Sequence, residues 1–186
     1  MWFATGNEGK AREARIILEP FGVHVRPFKG KGVEIQADIA EVASYSAAVA
    51  ANRYRRPLIV EDAGLYVEAL DGFPGAFSSF VFGTIGIPGL LALLEKKPRK
   101  AAFHSAVAYC EPGGKPRVFA GRVEGTVCAT PSGGNGFGFD PVFVPEGQKK
   151  TMGELTLEEK CAISHRGDAM RRFASWYSSR RPRQRF

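Results

Sequence analysis

Cysteine is scarce in this chain and scattered along it. The 186 residues hold three, Cys110, Cys128 and Cys161, with no CxxC pair and no Cys/His cluster. That spacing excludes the usual zinc patterns and predicts free thiols in a reducing, cytoplasmic setting. No apolar run reaches the length of a membrane span, so no membrane association is expected. The opening Met1-Trp2-Phe3-Ala4 lacks the charged start and apolar block of a signal peptide. Internal repeats, low-complexity tracts and interdomain linkers are also missing. A single domain over 1–186, with a basic tail from about Arg180, is therefore predicted. The basic residues are not interleaved with aromatics, so no specific nucleic-acid partner is expected. No Ser–His or Cys–His arrangement marks a covalent nucleophile.

What is present points to an anionic ligand. The net charge is +7 and the sequence pI about 9.5, which suits partners from nucleotides to nucleic acid. Part of the excess is the tail Arg180-Arg181-Pro182-Arg183-Gln184-Arg185, read as a solvated end. Leu58-Ile59-Val60 is a short apolar run that predicts a buried strand, stopping at Glu61-Asp62. Adjacent carboxylates at the carboxyl end of a buried strand are costly unless paired. In open α/β sheets that edge is where ligands bind. Alternation along the strand turns Glu61 and Asp62 to opposite faces.

Elsewhere the pattern is α/β with an antiparallel section. Trp2-Phe3-Ala4 predicts a first strand, Thr5 to Lys10 a glycine turn, and Ala11 to Glu19 a helix. A turn opening a helix beside a strand end is an anion site, because free N–H groups and the helix dipole face the ligand. Lys10 adds a point charge. This is not a Walker A loop: two residues separate Gly6 from Gly9, and Ala11 replaces the Ser or Thr that should follow the lysine. Val23-His24-Val25 predicts a second strand. Asp38, with Glu41 three residues on, predicts a capped helix running to about Arg55. Phe77 to Phe82 predicts a helix start, and Leu90 to Leu94, after Pro88-Gly89, a short buried helix. Two strands, from Ala102 to Cys110 and from Pro116 to Val127, are joined by a turn; His104 in the first is read as structural. Thr130 to Asp140 is a glycine-rich loop whose Phe137 and Phe139 either stack on a planar ligand or pin the loop to the core. Pro141 to Pro145 predicts an edge strand. Thr156 begins a capped helix carrying Lys160. After Ser164-His165-Arg166, a last helix shows an apolar face of Ala169, Met170, Phe173, Trp176 and Tyr177.

Taken in order, several blocks resemble the inosine/xanthosine triphosphate pyrophosphatase family over nearly the whole chain. They are Thr5-Gly6-Asn7 with Lys10 and Glu13, Glu61-Asp62-Ala63-Gly64-Leu65, Gly72-Phe73-Pro74-Gly75, Gly136 to Pro141, Lys160, and Ser164-His165-Arg166. The resemblance implies an elongated two-lobed α/β fold, with a mixed, twisted central sheet flanked by helices and a cleft between the lobes. It implies a Mg²⁺-dependent homodimer that splits non-canonical purine nucleoside triphosphates (ITP, dITP, XTP) into monophosphate and pyrophosphate, cleansing the nucleotide pool. Carried over by position, Thr5, Gly6, Asn7, Glu8, Gly9 and Lys10 hold the triphosphate. Glu34 and Asp62 serve the metal, and Asp62 is the base. Ala63, Phe137, Gly138, Phe139, Asp140, Lys160, His165 and Arg166 complete the substrate site. Ala63 stands where the family usually has Ser or Thr, and Met152-Gly153 replaces a common aromatic–small pair.

Residue chemistry agrees with this reading. A 6-oxo purine offers an acceptor and an N1–H donor, which suit the donor Arg166 and the acceptor Asp140; adenine reverses both. Two rival readings stand beside it. A related group hydrolyses pyrimidine or modified nucleoside triphosphates, but begins with a Ser-rich, Arg-containing block. A basic nucleic-acid-binding module would use the +7 charge and leave Asp62 without a task.

Overall fold

The computed structural model describes residues 1–30, 35 and 37–180. Its centre is a six-stranded mixed sheet in the order β2-β1-β3-β4-β5-β6. The strands are β1 (Trp2–Ala4), β2 (Arg26–Phe28), β3 (Leu58–Val67), β4 (Lys100–Cys110), β5 (Arg117–Val127) and β6 (Phe143–Pro145). β1 lies parallel to both β2 and β3, and the remaining neighbours are antiparallel. Among the described residues six α-helices cover it: α1 (Glu8–Leu18), α2 (Ile39–Tyr54), α3 (Ser78–Thr84), α4 (Gly86–Leu93), α5 (Leu157–Ile163) and α6 (His165–Ser179). The expected strand–helix–strand crossover is present, followed by the antiparallel section.

The helix starts follow from their caps. Asp38 accepts from the N–H groups of Ala40 and Glu41, and Thr156 with Glu159 forms a complete capping box. These contacts satisfy donors that a helix start leaves orphaned. α1 begins three residues before the predicted Ala11, because Asn7 is its cap and accepts from Lys10 N–H at 3.0 Å. The turn and the helix are thus one unit.

Two strand expectations are corrected. The second strand is not Val23 to Val25 but Arg26–Phe28. Val23 leaves the sheet to enter the core against Leu18 and Phe173, while Arg26 N–H bonds to Met1 O and opens the parallel ladder. The central strand does not stop at Glu61-Asp62. It runs on to Val67, because β4 pairs with it over its whole length, from Leu58↔Cys110 to Val67↔Ala101. What ends near Glu61 is the other neighbour: β1 pairs with β3 only at Leu58 and Ile59. Beyond that point one edge of β3 is open, and a cleft occupies the gap.

Three apolar clusters surround the sheet. α1 and α6 pack Phe3, Ile17, Leu18, Met170 and Phe173 on one face. This bears out the apolar stripe of the last helix as packing surface. The alanines of α2 lie on the opposite face against Leu58, Ala106 and Ala108. The far halves of β3 and β4, with α3, α4 and β6, enclose Leu65, Val67, Leu90, Phe103 and Phe143. α4 starts before Pro88 rather than after it and is buried along one side only, with Leu93 exposed.

Gly64 shows how tightly the open edge is packed. A Cβ there would collide with the carbonyl oxygen of Gly75. Ser78 Oγ binds the same carbonyl at 2.7 Å and accepts from Leu65 N–H at 2.8 Å. Gly64→Ala should therefore cost about 1–3 kcal/mol of stability, the range for overpacking a tight site. Urea denaturation should show a lower midpoint at unchanged slope; an unchanged midpoint would mean that the 72–78 turn is free to move.

Candidate active site

Beyond the end of β1, a cleft of about 520 Å³ opens along β3. Its lining comes from the Thr5–Asn7 turn and Lys10, from Val42, Ser46 and Ala50 of α2, and from Val60 to Ala63 of β3. Ser78, Ser79 and Phe82 of α3, the loop from Phe137 to Asp140, and His165-Arg166 at the head of α6 close it. Asp62, the glycine turn and Arg166 therefore border one groove, as the resemblance requires.

The turn is built for an anion. Asn7 N–H donates to Thr5 Oγ1 at 3.1 Å, and the Asn7 side chain closes the first turn of α1. Gly6 has open space where a Cβ would stand. Glu8 opens α1. Gly9 faces the Phe137 ring, whose Cδ1 lies 2.5 Å from a built Cβ, so a side chain at residue 9 would displace that ring.

Beneath the cleft runs an alternating row of charges. Asp140 Oδ2 meets Lys160 Nζ at 2.5 Å, and Lys160 Nζ meets Glu13 Oε1 at 2.8 Å. Glu13 Oε2 accepts from Arg166 Nη1 at 2.7 Å, and Glu61 Oε1 accepts from Arg166 Nε at 3.0 Å. Lys10 Nζ then pairs with Glu61 Oε2 at 2.8 Å and donates to the Glu61 carbonyl at 3.1 Å. Ser105 Oγ donates to Glu61 Oε1 at 2.7 Å, and Phe137 N–H to Asp140 Oδ2 at 2.7 Å. Three acids and three cations balance, and every member except Lys10 is buried. The Phe137 ring covers the row, 4.6 Å from Lys160 Nζ and 5.2 Å from Arg166 Cζ.

The two acids at the centre of β3 differ sharply. Burial disfavours the charged form of Glu61, but Arg166 and Lys10, with hydrogen bonds from Lys10 and Ser105, outweigh it and hold the carboxyl at about 2. Burial pushes Asp62 above the usual carboxylate range, Glu61 adds to this, and Lys10 opposes it. Glu61 lies with Arg166 on the α6 face. Strand alternation turns Asp62 toward α2, whose residues Val42 and Ser46 share the cleft with it. Glu61 is a saturated anchor; Asp62 keeps the basicity.

His165 is fully buried and stacks on Phe103 at 4.7 Å. Burial, then the Arg166 charge, lowers its pKa well below the ordinary value, so the ring is neutral. Its Nδ1 has no partner among the described residues. The two loop phenylalanines divide the alternatives left open for them: Phe139 is in the core, edge-on to Phe82, while Phe137 is the cover. Gly138 borders the cleft between them. His104 stacks on Tyr66 within β4, a structural place. Glu34, the second metal residue implied by the resemblance, lies outside the described residues.

Sequence reasoning placed Glu61 and Glu13 in the family blocks without giving either a role in the site, and missed Ser105. Glu13 carried a signal: it falls three residues after Lys10, on a helix face shared with Ala14 and Ile17. A carboxylate at a core-facing helical position needs a buried partner.

Comparison with known proteins follows the same lines. The model of the Ham1 family matches residues 1–176. The chain is 50% identical over 179 residues to a Methanopyrus kandleri protein named dITP/XTP pyrophosphatase, covering 95% of each chain. It is 51% identical over 176 residues to a Thermococcus kodakarensis protein of the same name, covering 94% of this chain and 95% of that one. A solved HAM1 protein from Coxiella burnetii matches with a TM-score of 0.85 at 31% identity, covering 96% of this chain and 98% of that one.

Removing one member of the charge row should be costly, since it strands opposite charges out of water. Glu13→Gln should destabilise the fold by about 3–5 kcal/mol, measured in urea at neutral pH. Burial opposes the charged form of Glu13, but Arg166 and Lys160 hold its folded pKa below the usual 4.5. Its contribution is thus complete above the unfolded pKa and lost as pH falls through the folded one. Wild-type melting temperature should drop as pH falls below about 4.5, and Glu13→Gln should flatten that limb. Parallel acid limbs would show that Glu13 is not ionised in the fold.

Proposed function

The chain belongs to the Ham1 family, and from that premise we propose that it hydrolyses non-canonical purine nucleoside triphosphates (dITP, ITP, XTP) to the monophosphate and pyrophosphate. The observation that carries this reading is the cleft in which a capped helix start, a basic-shifted Asp62 and a floor of paired buried charges face one another. On this reading the triphosphate lies on the Thr5 to Lys10 turn, where free N–H groups and the helix dipole favour negative charge. The base lies toward Phe137, Asp140, Lys160, His165 and Arg166. Three unpaired cysteines agree with a cytoplasmic enzyme.

The donor set suits Mg²⁺. This ion is commonly held by one or two carboxylates together with substrate phosphates, not by an all-protein cage. Glu61 is excluded as a ligand because Lys10, Arg166 and Ser105 already occupy it. Asp62 borders the cleft and would be the ligand, with Glu34 as the second carboxylate implied by the resemblance. When bound, Mg²⁺ neutralises phosphate charge and stabilises the leaving pyrophosphate. Asp62 orients a water and takes its proton as the oxygen attacks the α-phosphorus, a role its raised pKa favours.

Base selection follows from a floor whose charges are fixed. A 6-oxo group brings an acceptor to Lys160 and Arg166, and N1–H brings a donor to Asp140. Adenine presents a donor to the cations and an acceptor to the acid. Each unmatched buried group costs about 1–3 kcal/mol, so two give roughly tenfold to over a thousandfold preference over ATP. The same argument leaves GTP as a substrate by these two contacts.

Asp62→Asn should lower kcat about 10²–10⁴-fold at an unchanged melting temperature. Wild type with Mg²⁺ and ITP should release pyrophosphate and the monophosphate, and chelation should stop it. Orthophosphate with diphosphate as products would overturn the cleavage site, and near-normal turnover of the variant would remove Asp62 as base.

A further inference from the structure

The chain has two tryptophans, and both lie at one end of the sheet, each beneath arginines. Arg56 Cζ stands 4.5 Å and Arg26 Cζ 5.9 Å from the Trp2 ring centroid, on the α2 face. On the α6 face, Arg117 Cζ and Arg180 Cζ each stand 4.9 Å from the Trp176 ring. Stretches remote in sequence meet here. Trp2 is level with Arg26 and Leu58, and Leu58 with Cys110. Asn52 Oδ1 accepts from Gly113 N–H at 2.7 Å, and Ser178 Oγ donates to Phe21 O at 3.2 Å. Residues 19–26, 53–57, 111–117 and 180 carry seven cations (Arg26, Arg53, Arg55, Arg56, Lys115, Arg117 and Arg180) against Glu19 and Glu111, a net of five positive charges. All seven are exposed, and among the described residues none is in a salt bridge. Three more arginines follow in 181–186, and the rest of the sequence cancels to within one charge.

We propose that this end of the sheet binds single-stranded nucleic acid through its phosphates and base faces, without reading sequence. Along the sequence the basic residues are not interleaved with aromatics, but the fold interleaves them in space. A solvated charged face normally mixes its signs, whereas this one is of one sign and unpaired. Arginine suits phosphate, because its planar fork is pre-organised for two oxygens. A guanidinium laid on an indole is held by the ring's charge distribution, and its plane can take an unpaired base. Beside the Trp176 stack a cavity of about 460 Å³ is bordered by Lys115, Arg117 and Arg180. Its one acid, Glu111, accepts from Tyr109 Oη at 2.8 Å. Phosphates and flat rings presented together are the chemistry of a single strand; a duplex hides its base faces in the stack.

The surface is separate from the candidate active site. The cleft opens past the carboxyl end of β1 and this surface lies at its amino end, and none of the seven cations lines the cleft. A strand held here leaves the cleft open, so the proposal does not rest on the hydrolytic reading.

Fluorescence anisotropy of the full chain with a labelled oligothymidylate of about 20 residues, longer than a one-fold site, tests this. The oligomer ends in a 5′-hydroxyl and offers the cleft no triphosphate. Wild type should bind with a Kd of about 1–100 μM at physiological salt. About four to seven phosphate contacts should give log K against log salt a slope of about −3 to −5. Arg56→Gln and Arg117→Gln, exposed residues on opposite faces, should each weaken binding about eightfold at about 50 mM salt, one contact's share of that slope. Lys97→Gln, an exposed cation ahead of the far end of β4, should change it less than about twofold, having no phosphate contact to lose. A duplex of the same length should bind at least about fivefold more weakly, for want of open base faces. No saturable binding, an equal loss in Lys97→Gln, or a duplex that binds as tightly would overturn the proposal. So would a chain ending at Arg180 that no longer binds, which would make the tail the binder. Capture by phosphatidylserine vesicles without binding of the oligomer would overturn it too and make this a lipid surface. Binding is read without turnover, so this surface and the hydrolytic reading stand or fall separately.

Discussion

The structure depends on a chain of alternating charges held out of water. Asp140, Lys160, Glu13, Arg166, Glu61 and Lys10 come from a loop, α5, α1, α6, β3 and α1 again. Each ion costs several kcal/mol to desolvate, and the Coulomb attraction returns that only when the geometry holds. The row is therefore poor evidence of high stability and good evidence of position. It ties four elements to β3 at fixed separations, so the floor of the cleft cannot drift without stranding a charge. Arg166 shows the balance most clearly. Burial works against its charged form, yet Glu61 and Glu13 overcome this and raise its pKa above the ordinary value.

The same row explains why two neighbouring carboxylates differ. Glu61 points toward α6 and is saturated by Lys10, Arg166 and Ser105. Burial disfavours the Asp62 carboxylate and Glu61 repels it, and the fields of Lys10 and Arg166 with the Ala63 N–H offset this only in part. One acid is spent as an anchor, which leaves the other reactive. That division needs a strand whose successive side chains face opposite ways and a sheet edge open on one side. The shortness of β1 supplies the opening: its ladder to β3 ends at Phe3↔Ile59, two residues before Glu61.

How much of this could be read from sequence depended on whether the signal was local. The caps at Asp38 and Thr156 and the last helix's stripe were legible because capping and periodicity act within a few residues. So was the opposite facing of Glu61 and Asp62. The end of β3 was misjudged because two acids and a glycine look like a stop, while pairing with β4, forty residues away, carries the strand through them. The second strand was misplaced because Val23 and Val25 have the composition of a strand, yet Val23 is claimed by the core. The site's residues could be named in blocks, but not the pairing of Glu13 with Lys160, 147 residues apart. No local rule carries that distance.

The pairing also redistributes the work of binding. Lys10 was the expected cation for the triphosphate, with Lys160 and Arg166 expected to hold substrate and select the base, yet each already faces a carboxylate. As a unit the row is close to neutral. On the functional reading, the phosphates then meet backbone N–H groups at the α1 start, whose donors Asn7 only partly occupies. Long-range attraction comes from the chain's net charge of +7. Ala63 offers no hydroxyl, and its backbone N–H is turned to the Asp62 carboxyl. In this cleft the main chain supplies the anion site, and the buried side-chain charges hold the shape in which it works.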